Sequence, residues 1–309
     1  MSETQLDEYM KTIDLKELFV LWKEEHKKEV EDIKEQIKNM KSENSKECDG
    51  EIFRKKIYNE CTISSHFIQF FYREQCKKCA DIKEKTAWEY VLENAFNADG
   101  CVGNYDIAEN GYKYIALLKE ANDSDKCCVR ENYQTEEDIP NRWLTDWRKD
   151  KNNRKYNMLN KLNSAFYQYK NKDEEIAKKI PEKDFFFDDE MAYMNVNKRG
   201  GTSSTVGVDQ NVLIKYAEKY RKFILKEIDI LSAGQEEVTV FVYGKRDNYF
   251  ERLVKALCKD AVKIQEGIYK YTYTSDSKDK TIKLVNITHP SGRISAADLA
   301  EEMKREGEN

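Results

Sequence analysis

Apolar positions recur along this chain with two different periods. Near the N-terminus Leu15, Leu18, Trp22, His26, Val30, Ile33, Ile37 and Met40 are spaced by three and four residues, which predicts a helix over 1–45. A polar break at 41–50 follows. Helices are expected over 52–74, where Phe67, Phe70 and Phe71 cluster, and over 87–96, before a turn at Asn97-Ala98-Asp99-Gly100. From residue 112 short apolar runs alternate with helical stripes. Strands are expected at 112–118, 191–196, 237–243, 267–274 and 281–288, the last two around a polar turn at 275–280. Helices are expected at 157–169, 209–231, 249–257 and 295–306, with Asp209 and Ser295 as N-caps. An acidic and polar connection with Trp143 and Trp147 spans 124–150, and a charged linker spans 170–183.

Strands alternating with helices predict an α/β fold: a three-layer αβα arrangement with a mainly parallel central sheet, preceded by a helical N-terminal section. The expected division is a helical region at 1–105 and an α/β domain at 106–309. The N-terminal stripe has two readings, packing against its own domain or self-association as a coiled coil, and the first is the ordinary one. His26 on that stripe reads as a packed histidine.

Composition narrows the class. Apolar residues make up 39% and charged residues 36% of the 309, yet 19 Tyr and 13 Phe supply enough bulk for a core. With only 3 Pro and 12 Gly, long helices and few tight turns are expected. The net charge of −5 disfavours a dedicated duplex-DNA binder, although a local basic patch is what decides. No apolar run approaches the roughly 18 residues of a membrane span. The first residues lack a secretory signal pattern, so a cytoplasmic protein with eight reduced cysteines is expected.

Chemistry gathers at three predicted strand ends: Lys119-Glu120-Ala121-Asn122-Asp123, Asn195-Val196-Asn197-Lys198 and His289-Pro290-Ser291. In open α/β sheets ligands bind at the carboxyl ends of strands. A donor such as His289 at such an end could stabilise negative charge on a ligand. A carboxamide such as that of Asn195 offers one donor and one acceptor together. Each residue also has a plain reading: a turn histidine, a strand-terminating Asn, a solvated loop acid.

In their order, these segments resemble the uracil-DNA glycosylase superfamily over about 112–294. That superfamily carries a G-E-x-P-G or G-x-D-P motif after its first strand, an N-V-x-K-like segment after its second, and H-P-S near the C-terminus. The resemblance implies hydrolysis of the N-glycosidic bond of uracil or a related base in DNA. His289 would stabilise the leaving base. Glu120, with Asp123 as the near alternative, would handle water or sugar charge. Asn195 would read the base, with Asn122 and Ser291 beside it, and Lys198, Arg199 and Arg293 would contact DNA or phosphate. Lys119, Ala121 and Asn122 depart from the first motif, and Gly292-Arg293 replaces the apolar wedge that opens duplex DNA. These departures favour a single-stranded or nucleotide partner. They also keep a second reading open: a non-catalytic nucleobase- or nucleotide-binding or interaction protein on the same fold.

Other features carry less. The segment from Gly200 to Thr205, ahead of a long helix, reads as a phosphate cradle or a plain loop and lacks the Walker pattern. No cofactor is expected. Cys76 and Cys79 have metal-knuckle spacing, and with Cys61 and Cys101 could form a structural zinc site; reduced helix cysteines are the alternative. The superfamily's iron–sulfur arrangement needs a Cys just after the second segment, where Arg199 and Gly200 stand. No G-x-S-x-G supports an unrelated α/β hydrolase.

Overall fold

The computed structural model describes residues 3–43, 96, 99, 107, 110–122, 154–171, 190–201, 210–244, 248–275, 278–290 and 292–307. In chain order the elements are α1 (Glu3–Thr12), α2 (Leu15–Glu43), β1 (Tyr114–Asn122), α3 (Arg154–Lys170), β2 (Met191–Gly201), α4 (Gln210–Lys219), α5 (Arg221–Leu231), β3 (Glu237–Tyr243), α6 (Tyr249–Leu257), β4 (Val262–Gln265), β5 (Ile268–Ser275), β6 (Lys278–Ile287) and α7 (Ala296–Gly307).

The six strands form one mixed, mainly parallel sheet in the order β2-β1-β3-β6-β5-β4. β1, β3 and β6 run parallel. β5 and β4 extend the sheet antiparallel. The apolar runs of β1 and β3 are those of strands buried on both faces. On one face Tyr114, Ala116, Leu118, Phe241, Tyr243, Val285 and Ile287 pack under Leu162, Ala165 and Phe166 of α3 and Leu299, Ala300 and Met303 of α7. The alternate residues Ile115, Leu117, Val240, Val242, Ile282 and Leu284 point the other way and are equally buried. Tyr269 and Tyr273 lie on that second face, opposite Leu284 and Lys280 in register. There Phe250 of α6 meets the Tyr269 ring at 5.7 Å, and Asp229 of α5 accepts from Tyr273. Helices therefore cover both faces, as the alternation of elements predicts.

The chain divides into two compact units. The first takes in Met1–Ala98, Lys119–Asp138 and Asn195–Ile224, and the second Asp99–Leu118, Ile139–Met194 and Leu225–Asn309. In the first, Leu15, Leu18, Phe19, Trp22 and His26 of α2 are buried. Trp22 packs on the rings of Phe96, Tyr216, Tyr220 and Phe223. That half of the stripe is covered by its own chain; the side chains of Val30, Ile33, Ile37 and Met40 lie outside the described residues.

Several boundaries differ from the sequence expectation. The helix over 1–45 is two helices, because Asp14 opens a capping box. Its carboxylate accepts the Glu17 N–H at 2.8 Å, and the Glu17 carboxylate accepts the Asp14 N–H at 3.1 Å. The helix over 209–231 is divided at Tyr220, although hydrogen bonds run through the break from Tyr220 N–H to Tyr216 and from Ile224 N–H to Tyr220. β1 continues to Asn122 and β2 to Gly201, past their apolar stretches, and β4 was not expected at all. Neighbouring strands, not local hydrophobicity, extend such ends. The helices expected at 52–74 and 87–96 lie outside the described residues, apart from Phe96.

Candidate functional site at the carboxyl ends of β3 and β6

β3 and β6 finish level, with Tyr243 opposite Ile287. The Gly244 N–H donates to the Ile287 carbonyl at 3.2 Å, carrying the pairing one step further. The chain then leaves β6 as Thr288-His289-Pro290. Glu302 of α7 grips this exit: its carboxylate accepts the Thr288 N–H at 2.8 Å and the Thr288 hydroxyl at 3.0 Å. The turn after His289 closes when the Gly292 N–H donates to the His289 carbonyl at 2.8 Å. Lys161 of α3 donates to the Gly292 carbonyl at 3.1 Å. A Cβ on Gly292 would stand 3.0 Å from the His289 carbonyl oxygen, so the turn is closed tightly enough to favour Gly there. Pro290 is buried and fixes its own φ. Ser295 then caps α7, accepting the Asp298 N–H at 3.1 Å. Three elements thus hold the segment that carries His289.

His289 itself is half-buried, with its ring edge-on to Tyr243 at 5.9 Å between centroids. Tyr243 is the last residue of β3 and is wholly buried. Its hydroxyl has no hydrogen-bond partner among the described residues. Burial, with the nearby Tyr193 phenol, pushes its ionisation well above the usual tyrosine range, so it stays a neutral donor. Tyr193 differs, because its hydroxyl donates to Asn163 Oδ1 at 3.2 Å. A half-exposed imidazole against the ring of a buried tyrosine, on a firmly held strand end, suits the binding of a polar planar group.

The chain matches no family model and no curated protein.

The other expected site residues fall as follows. Glu120 and Asn122 stand within β1, not in a loop after it, and their side chains lie outside the described residues, as does Asp123. Asn195 is inside β2 and buried, so it does not end that strand. Lys198, an odd number of residues on, projects from the opposite side of β2. Its ammonium lies over the rings of Phe19 and Trp22 at 5.7 and 5.3 Å, and the residue is fully buried. Arg199 belongs to β2, its side chain outside the described residues. Arg293 is exposed just after the His289 turn, and Ser291 is not described. Among the expected residues of the second unit, His289 and Arg293 therefore share one loop. The expected metal ligands Cys61, Cys76, Cys79 and Cys101, and most of the segment from Gly200 to Thr205, lie outside the described residues.

Sequence reasoning missed Tyr243, Glu302 and Lys161. Tyr243 had one signal, a tyrosine ending the buried strand just before Gly244. Glu302 and Lys161 had none, since each looks like an ordinary helix-surface charge until α3 and α7 are packed on the sheet. The first unit holds a separate polar set inside its aromatic core. His26 Nε2 and the Tyr216 hydroxyl share a 2.8 Å hydrogen bond, and the Lys198 N–H donates to the same hydroxyl at 3.3 Å. Tyr220 donates to buried Glu29 at 2.5 Å, and Lys219 pairs with that carboxylate at 3.0 Å. His26 is thus a packed, hydrogen-bonded histidine.

Proposed function

We propose that this chain is a uracil-DNA-glycosylase-like enzyme that hydrolyses the N-glycosidic bond of uracil or a related base in DNA. The observation that carries the reading is the placement of His289: half-buried, at the carboxyl end of a parallel strand, in a turn held by Glu302 and Lys161. In this reaction the bond between the sugar carbon and the base nitrogen breaks, and its electron pair leaves with the base. Water adds to the sugar carbon and loses a proton. A hydrogen bond from His289 to a base oxygen stabilises the departing anion, and donors fixed in advance accomplish this without reorganisation.

The test is release of uracil from single- and double-stranded uracil-containing oligonucleotides, read as strand breaks after alkali. Breaks are expected on single strands first. Replacing His289 by Ala is expected to lower kcat about 100-fold, as loss of one charge-stabilising donor does elsewhere. If no uracil-containing substrate gives breaks, the reading is abandoned.

One observation favours a second reading, a non-catalytic nucleobase- or nucleotide-binding protein. The Lys198 ammonium is engaged by two aromatic rings inside the fold and is not presented to a phosphate. Thermal shifts with uracil, dUMP or dUTP in the absence of turnover would support it, and their absence would remove it. Among the described residues no helix is long and apolar enough to cross a membrane.

A further inference from the structure

We propose that the Tyr243 hydroxyl is a ligand-binding donor, held with no acceptor among the described residues so that it can hydrogen-bond a carbonyl or anionic oxygen of a planar base seated against His289. The ligand class rests on the function proposed above; the vacancy of the hydroxyl does not. Buried hydroxyls are ordinarily bonded, and an unpaired one calls for a use. Phe would fill the same volume with no polar atom to satisfy. The contrast lies within the same cluster. Tyr193 and Tyr243 are both buried there, and Tyr193 donates its proton to Asn163 whereas Tyr243 has no acceptor among the described residues.

Position adds a second strand of support. Tyr243 is the final residue of β3, which runs parallel to β6, and open α/β sheets take their ligands at the carboxyl ends of such strands. The ring of Tyr243 touches the imidazole of His289, so both groups belong to one strand-end locus. A phenol held neutral donates throughout the physiological range, and a donor beside an imidazole matches a ligand with two acceptor oxygens or one that gathers negative charge.

The experiment uses the full chain, its Tyr243→Phe variant and a Tyr193→Phe control. Thermal unfolding is measured without ligand, uracil and dUMP are titrated as probes, and rates are measured on a single-stranded uracil oligonucleotide. Tyr243→Phe is expected to melt at the same temperature or higher, because it deletes an unpaired hydroxyl, while Tyr193→Phe melts lower. Uracil affinity is expected to fall at least 10-fold in Tyr243→Phe, which is about 1.4 kcal/mol. A lower melting temperature for unliganded Tyr243→Phe would mean that the hydroxyl serves the fold, and it overturns the proposal. Unchanged uracil affinity in Tyr243→Phe, with wild-type cleavage intact, overturns it and leaves the glycosylase reading standing. A wild type that binds uracil through Tyr243 without cleaving DNA sinks the glycosylase reading and supports this one. A wild type that neither binds the probes nor cleaves sinks both.

Discussion

Lys23 illustrates how one residue departs from what its neighbours in sequence suggest. It reads as a solvated charge between Trp22 and Glu24, yet its ammonium lies over the Phe96 ring at 5.4 Å. Burial, and secondarily the charge of Lys27, pull its ionisation from 10.5 down to about 8. A folded value below the unfolded one means that the unfolded chain binds more protons between those two pH values. Stability from this group therefore rises as pH climbs from about 8 to 10.5, and the penalty is full below that window. Lys23→Met keeps the stem over the ring and removes the charge. It is expected to raise stability at pH 7 and to flatten that rise, measured as the difference between wild-type and variant urea midpoints across the window. Parallel pH profiles for the two proteins would refute the assignment. His289 was readable at this scale because His-Pro-Ser follows a strong strand pattern. Tyr243 was not, because the value of a hydroxyl depends on whether anything bonds it, and that is settled by distant residues.

At the scale of elements, the β5–β6 hairpin is pinned to α5 through Asp229. The carboxylate accepts from Lys280 at 3.1 Å, Ser275 at 3.0 Å and Tyr273 at 3.2 Å, and Lys226 lies at 3.3 Å. Lys280 also donates to the Asp229 carbonyl at 3.0 Å. Burial alone would raise the Asp229 ionisation. Lys280, with Lys226 and the Ser275 hydroxyl, overrides it and holds the carboxyl below its usual value. The contribution is thus present at neutral pH and is lost as pH falls through the lowered folded value. Burial and Asp229 together push the Tyr273 phenol up, which keeps it a donor. Asp229→Ala strands the Lys280 ammonium, which is almost fully buried, and is expected to cost about 3 kcal/mol in urea unfolding. Hydrogen exchange should show the hairpin amides losing protection before those of β3. A loss below about 1 kcal/mol would mean that solvent satisfies Lys280 and that the pin is weak. The strands β5 and β6 were visible from their alternation, whereas Asp229 looked like one more polar position on the α5 helix.

At the scale of the whole molecule, Gly111 carries a contact that links segments far apart in sequence. Its φ of +64° lies in the left-handed region, and an added Cβ would stand 2.2 Å from the Ala233 carbonyl oxygen. Around it the Tyr112 N–H donates to the Leu231 carbonyl at 2.7 Å, and Gln235 donates to the Asn110 carbonyl at 2.7 Å. The start of β1 is thereby fastened to the end of α5. Gly111→Ala combines backbone strain with a clash against main chain, and is expected to cost about 3 kcal/mol. The check is a lower urea midpoint at unchanged slope, the sign of lost stability without a changed transition. A variant as stable as wild type would show that the segment relaxes freely. By itself the sequence determined the fold class, the helical N-terminal section and the place of His289 after β6, because hydrophobic period and short turn motifs act over a few residues. Only the tertiary structure decided that β1 and β2 run on through their polar ends, that Lys198 is buried against aromatic rings, and that the Tyr243 ring meets His289 while its hydroxyl has no partner among the described residues. Those outcomes depend on which surfaces meet across the sheet, and burial of a polar group is a property of its surroundings, not of its own position in the chain.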